Sequence, residues 1–229
     1  MTMKRIQTIL IHVLIGLIPI IYFLSIWNKL PNIVPIHFNA NFEPNNFGSK
    51  SELLVILIIL FVGATGSSFL LNNLNKFDPK QRFSNNSSLT IKISWTVTIF
   101  FLIISCLIVY VTENYNRANI NGLSPRYVAV LIALLFIVLG NLMNNIKPNY
   151  FFGIRTPWTL ESEENWRMTH YLGSKIWFFG GLIMFLLILI LPQEFAFYVL
   201  TLSIIPMAGI PVFYSYYIFR QKQKKGWHT

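Results

Sequence analysis

Six long apolar runs divide this chain: Ile6–Trp27, Glu52–Leu71, Ile91–Val111, Tyr127–Met143, Ile176–Leu191 and Phe195–Phe219. They are 22, 20, 21, 17, 16 and 25 residues long. A helix that crosses a bilayer core needs about 20 apolar residues, within a range of roughly 17 to 25. In lipid, backbone polar groups must be satisfied within the segment, which favours helices. The pattern therefore predicts an all-α integral membrane protein, a six-helix transmembrane bundle. The two short runs gain length upstream. Ser124 is a good N-cap and Pro125 suits the first helical position of the fourth. The fifth continues a helix that begins near Ser162, where Glu163 and Glu164 suit the positive N-terminal end. Ser49 and Glu52 have capping-box spacing at the start of the second. Pro192–Glu194 is a turn, so the last two helices form a hairpin.

Finer features lie within the runs. Gly63, Ala64, Gly66, Ser67 and Ser68 allow the second helix to pack closely, as Gly180 and Gly181 do for the fifth. Pro206 and Pro211 predict kinks in the sixth; a broken-helix ligand site is the sharper alternative. The first run follows Lys4 and Arg5, as in a signal peptide. Its 22 apolar residues exceed the usual 7–15-residue core of a signal, so an uncleaved helix is expected.

Composition fits this picture. Of the 229 residues, 54% are hydrophobic and only 11% charged, against roughly 25% charged in a soluble domain. One core of this size could not hide so much apolar surface. A soluble enzyme, a disordered chain and a fibrous protein are disfavoured. With one cysteine, Cys106, a disulfide-stapled domain is excluded too.

The net charge of +10 changes meaning once the basic residues are placed. With a cytoplasmic N-terminus and six crossings, 14 Lys and Arg fall on the inner side and 4 outside. The positive-inside bias then puts both termini in the cytoplasm. No direct nucleic-acid contact is needed: the tail Arg220–Lys225 reads as a stop signal that meets anionic lipid. The organisation reads as 1–75, an N-terminal helix pair with an outer loop; 76–125, the third helix and its connections; and 126–229, the remaining helices with a cytoplasmic loop. Asn75–Thr90 and Thr112–Leu123 are bland connections. The glycosylation-like Asn85-Asn86-Ser87 and Asn86-Ser87-Ser88 of the first carry little weight.

Two loops are more informative. Asn28–Lys50, on the outer face, holds three prolines and several aromatics, which predicts a compact loop at the interface. His37, Glu43 and Lys50 are its ionisable candidates. They either contact a ligand or close the outer mouth of the bundle; alternatively, His37 simply hydrogen-bonds a backbone carbonyl. Asn144–Ser174, on the cytoplasmic face, is rich in Trp, Pro and Asn. Trp166, Thr169 or His170, Gly173 and Trp177 recur on one helical face, as in an amphipathic helix that lies in the membrane interface before turning into the membrane. Arg155 presents a planar fork of five donors that can hold several backbone carbonyls or a carboxylate, with Glu161, Glu163 and Glu164 as the nearest acidic candidates. It is expected to fasten the Asn149–Leu160 segment onto the helix start at Ser162.

Catalytic signals are weak. No His, Cys or acidic cluster has metal-ligand spacing, and no nucleophile elbow or phosphate-binding Gly loop is present. No cofactor or metal is expected. His12 is the one ionisable group at depth in a run, either functional or a hydrogen-bonded helix residue.

The residues Gly140-Asn141, then Lys147–Leu160 (KPNYFFGIRTPWTL), then Trp166 and Thr169-His170, resemble the signature of the SdpI family of bacterial membrane immunity proteins. In the outer loop, Pro35-x-His37-Phe38-Asn39 and Gly48-Ser49-Lys50 resemble a domain of unknown function that often precedes the SdpI segment. Ala40-Asn41-Phe42 lacks the glycine common in that domain. The resemblance implies a multi-pass protein of the bacterial cell membrane, not an enzyme, that protects against a secreted peptide toxin. It further implies signalling, through retention of an ArsR-like transcriptional repressor at the membrane. The implied ligand-facing residues are Pro35, His37, Phe38, Asn39, Gly48, Ser49 and Lys50. The implied cytoplasmic motif is Asn141, Asn149, Gly153, Arg155, Thr156, Pro157, Trp158, Thr159, Trp166, Thr169 and His170. A small transporter or channel is the main alternative. A membrane enzyme is disfavoured because the expected topology separates His37 from His170 by the bilayer.

Overall fold

The computed structural model describes residues 3–39, 44–77, 87–115 and 126–224. Six of its helices are long and apolar enough to cross a membrane. They are α1 (Met3–Ser25), α2 (Lys50–Phe77), α3 (Ser87–Asn114), α4 (Arg126–Met143), α6 (Glu163–Ile190) and α7 (Ala196–Lys224). A short helix, α5 (Pro157–Glu161), stands before α6. Helices α1, α2 and α3 pack on one another; α4, α6 and α7 form a second cluster, which α3 meets through α4. Most side chains on the outer faces of the long helices are exposed Ile, Leu, Val, Phe and Tyr, as a lipid-facing surface requires.

Helix starts follow their local chemistry. Ser162 caps α6 by accepting the backbone N–H of Asn165 at 3.3 Å. Ser49 caps α2 in the same way, accepting from Glu52 N at 3.2 Å. α6 is longer than its apolar run because it begins at this cap. The connection at Pro192 is a single 3-10 turn, Gln193–Phe195. Pro206 and Pro211 lie inside α7, which remains helical through both. Ser124 and Pro125, Glu43, Ala40–Phe42 and the Asn85-Asn86 pattern lie outside the described residues.

Small residues set the closest helix approach. A Cβ on Gly140 of α4 would meet the backbone nitrogen of Phe178 in α6. One on Gly181 of α6 would lie 3.0 Å from the backbone nitrogen of Ile137. The two glycines thus let these helices touch along their backbones.

The expectation of an all-α chain needs one correction. The segment after α1 forms an antiparallel hairpin of β1 (Ile33–Phe38) and β2 (Pro44–Ser49). Ile33 pairs with Ser49 and Val34 with Gly48, and the register shifts on either side of His37. Pro35 and Pro44 disfavour a helix here. Val34 is fully buried against Phe23, Ile26, Leu30, Leu53, Leu57 and Val109. The loop is therefore compact, as its prolines imply, but it is a ribbon seated on the helix ends.

The Trp166–Gly173 stripe lies, as expected, on the helix that continues from Ser162 into the apolar run, but protein covers that face. Glu163–Ile190 is one continuous helix, and Trp166, Thr169, His170 and Gly173 are buried against other parts of the chain.

Candidate functional site

The Asn149–Leu160 segment is folded by its own side chains. Asn149 is buried; its Oδ1 accepts from Phe151 N at 2.8 Å and Phe152 N at 2.9 Å. Its Nδ2 donates to Lys147 O at 2.9 Å. The turn so fixed brings Gly153 to φ +107°, a region that disfavours any side chain. Space dictates glycine as well, because a Cβ there would lie 2.5 Å from His170 Nε2 and 3.2 Å from the Trp166 ring.

Beyond Gly153, the backbone N–H of Ile154 donates to His170 Nε2 at 3.0 Å. His170 Nδ1 then carries the hydrogen and donates to Trp166 O at 2.9 Å. Both ring nitrogens are used, so this imidazole is a structural clasp in the neutral form. Trp166 stacks on it at 4.1 Å between centroids and donates Nε1–H to Ile146 O at 2.7 Å. The imidazole and indole together pin the motif loop from both sides onto α6.

Thr156 begins α5 with a reciprocal cap. Its Oγ1 accepts from Thr159 N at 3.3 Å, and Thr159 Oγ1 accepts from Thr156 N at 2.9 Å. Pro157 occupies the first turn, where its missing N–H costs nothing. Trp158 then reaches α7: Nε1 donates to Ser215 Oγ at 2.6 Å, and the ring stacks on Phe219 at 5.8 Å. Asn165 Nδ2 donates to Ser215 O at 2.9 Å and its Oδ1 accepts from Thr169 Oγ1 at 3.0 Å. Lys222 pairs with Glu164 at 2.6 Å and donates to Ser162 Oγ at 3.1 Å, tying the end of α7 to the start of α6.

The motif residues thus converge, with two exceptions. Asn141 is exposed on α4. Arg155 is also exposed, and its Nη1 donates to Tyr150 O at 2.5 Å. Arg155 does bond a backbone carbonyl, but one within its own segment, so the expectation that it fastens the segment onto the start of α6 is corrected: Glu164 is taken by Lys222, and the guanidinium closes the loop on itself. Ser215 and Asn165, at the centre of the network, were missed in the sequence. Their only signal is polarity: Asn165 adjoins the tryptophan and Ser215 lies inside an apolar run. Beside this knot is an open pocket of about 580 Å³ lined by Asn144, Asn145, Lys147, Glu163, Glu164, Arg167 and His170 among others. Among the described residues, no group of three or more His, Cys, Asp or Glu could hold a metal ion.

The hairpin end uses its motif differently. His37 is exposed, with Nδ1 2.6 Å from Asn45 Oδ1 on the facing strand. It bonds a side chain, not the backbone carbonyl considered above. Pro35 is buried, and Phe38 and Asn39 are half-buried. Gly48 is crowded by Glu52 and Ile36. Ser49 caps α2, and Lys50 donates to Trp27 O at 3.1 Å while lying 5.0 Å over the Trp27 ring. Four of the seven outer-loop residues, Pro35, Gly48, Ser49 and Lys50, therefore build the ribbon. The exposed surface is His37, Asn45, Asn46, Phe47 and Ile33.

Comparison with known proteins matches these two ends of the molecule. Residues 145–215 match the SdpI/YfhL protein family, and residues 14–62 match DUF1648, a domain of unknown function. The matched residues 145–215 run from the loop below Trp166 to Ser215, the span of the knot. This chain carries an SdpI-family segment. The DUF1648 match takes in the hairpin and the helices that bear it. Over 176 residues the chain is 23% identical to "Immunity protein SdpI" of Bacillus subtilis (strain 168), covering 76% of this chain and 78% of that relative. No solved structure matches. The SdpI-family segment is thus the part of the chain where loop, α6 and α7 are locked together, and the hairpin belongs to the preceding domain.

Proposed function

We propose that this protein is a non-catalytic immunity protein of the bacterial cell membrane that protects the cell against a secreted peptide toxin. The observation that carries the reading is the likeness to an immunity protein over three-quarters of both chains. The chemistry agrees with it. The polar groups of the knot are spent on one another, which suits a rigid platform better than a reacting centre. With both termini cytoplasmic, the hairpin faces outward and offers His37, Asn45, Asn46, Phe47 and Ile33 to a peptide. The knot then faces the cytoplasm, where an ArsR-like repressor would dock for signalling.

The test is expression in a toxin-sensitive bacterium, with survival measured under challenge by the secreted peptide encoded nearest the gene. Survival above an empty-vector control supports the reading. Killing at the control rate, with the protein present in the membrane at normal level, overturns it.

A further inference from the structure

Helices α1, α2 and α3 enclose a second polar cluster, distinct from both ends described above. His12 is fully buried. It lies six residues into the apolar span Ile6–Ser25, about 9 Å along the helix axis. Ser68 is six residues from the end of the span Lys50–Leu74, and Ser94 six from the start of Ser88–Asn114. The three therefore meet at one level. His12 Nδ1 is 2.7 Å from Thr8 O, and Nε2 is 3.2 Å from Ser94 Oγ. Ser94 Oγ is 3.0 Å from Ser68 Oγ and accepts from Asn72 Nδ2 at 3.3 Å. The Trp95 ring lies 4.2 Å from the imidazole centroid. One turn deeper on α3, Thr98 Oγ1 is buried with no hydrogen-bond partner.

A buried ionisable group inside a membrane bundle is costly to keep and marks function more often than not. We propose that His12 is a proton-binding site within the N-terminal three-helix half, with Ser94 as its switching partner. In the neutral state Nδ1–H donates to Thr8 O and the lone pair on Nε2 accepts the Ser94 hydroxyl hydrogen. On protonation that lone pair takes the incoming proton. Ser94 then turns its hydrogen to Ser68 Oγ, and its oxygen accepts from Nε2–H and from Asn72 Nδ2 together. One hydroxyl rotation satisfies both states, and the Trp95 face favours the cation. Thr8, Asn72 and Thr90 are polar and lie one turn nearer the same helix ends, which gives water-borne protons a short polar approach.

Among the described side chains, no other titratable group competes for the site. α3 faces His12 with Ser94 and Trp95, and α2 joins through Ser68 and Asn72, which bond Ser94. Of the described titratable side chains on these helices, Lys92 is exposed, Cys106 lies three turns deeper, and Tyr22, Lys50, Glu52, Tyr110 and Glu113 belong to the opposite ends. The cluster is independent of the immunity reading.

The experiment is nitrogen NMR of the full chain, with histidine labelled, in lipid nanodiscs between pH 8 and pH 4. His12 signals are assigned by their loss in His12→Gln. The expected result is one protonated and one bare ring nitrogen at high pH, converging on two protonated nitrogens as pH falls. Ser94→Ala changes the pH at which this occurs, and Asn45→Ala, at the hairpin, does not. A Trp95→Phe difference in fluorescence supplies a second readout, since the imidazolium quenches its neighbouring indole. If His12→Gln fails to accumulate, the Ser94→Ala and Trp95→Phe chains, which retain His12, carry the assignment. A His12 ring that stays neutral while the protein remains folded overturns the proposal. So does a transition unaffected by Ser94→Ala.

Discussion

Gly153 and His170 are in such close apposition that a methyl group on the glycine would come within 2.5 Å of the imidazole Nε2. The same nitrogen accepts the N–H of Ile154 at 3.0 Å. Sixteen residues of sequence separate His170 from that amide, and the absence of a side chain at Gly153 is what lets them meet. Gly153→Ala is therefore expected to lose the His170 bond and to strain the backbone at φ +107°. The strain alone costs about 1–3 kcal/mol. Limited proteolysis of the Asn149–Leu160 segment in membranes is the measurement; cleavage no faster than in the wild type would show that the clasp is dispensable.

Trp158 and Ser215 allow a cleaner energetic test. Their 2.6 Å bond joins α5 to α7, and both are largely removed from solvent. A double-mutant cycle with Trp158→Phe and Ser215→Ala should give a coupling of about 1 kcal/mol in detergent unfolding. Additive effects would mean that Phe219 stacking, not the hydrogen bond, holds Trp158.

Arg155 is predicted to be tolerant in folding. It is exposed and makes one bond, to the Tyr150 carbonyl. An exposed bond of this kind contributes roughly 0.5–1.5 kcal/mol at most. Arg155→Lys and Arg155→Ala should both reach the membrane at wild-type level. On the proposed reading, only Arg155→Ala should weaken recruitment of a cytoplasmic repressor. Loss of the protein itself in either variant would make Arg155 a folding residue.

At the hairpin the expectation is a contrast between neighbours. His37→Ala and Phe47→Ala alter exposed positions, so protein level should hold while toxin protection falls. Lys50→Ala removes both the Trp27 carbonyl bond and the cation over its ring. It should loosen the ribbon and lower thermal stability by about 1–2 kcal/mol. Equal protection by wild type and the two exposed variants would make the hairpin purely structural.

Topology has its own measurement. A reporter fused after Lys50 should be active outside the cell, and one fused near Pro148 inside. Opposite results at both points would reverse the assignment of hairpin and knot to their sides.

What the sequence determined by itself was local. Run lengths yielded six helices, because crossing a hydrocarbon core and satisfying the backbone within one segment are both matters of consecutive residues. Ser162 and Ser49 could be read as caps, because an N-cap bonds a backbone group only three positions away. The Lys147–Leu160 motif was legible as a unit through its resemblance to the SdpI family, and the structure shows that Asn149, Thr156 and Thr159 bond within it. The tertiary structure alone decided which distant polar groups meet. Asn165 reaches Ser215 fifty residues on, and His12 reaches Ser94 across eighty-two. Those encounters depend on how each helix is rotated about its axis and how closely glycines let it approach its neighbour. Arg155 shows the limit in reverse. Three acidic residues stood near it in sequence, yet Lys222 at the far end of the chain took Glu164. The hairpin was hidden because its strands are six residues each and gain their stability from burying Val34 against α1, α2 and α3, a surface that exists only once those helices have packed.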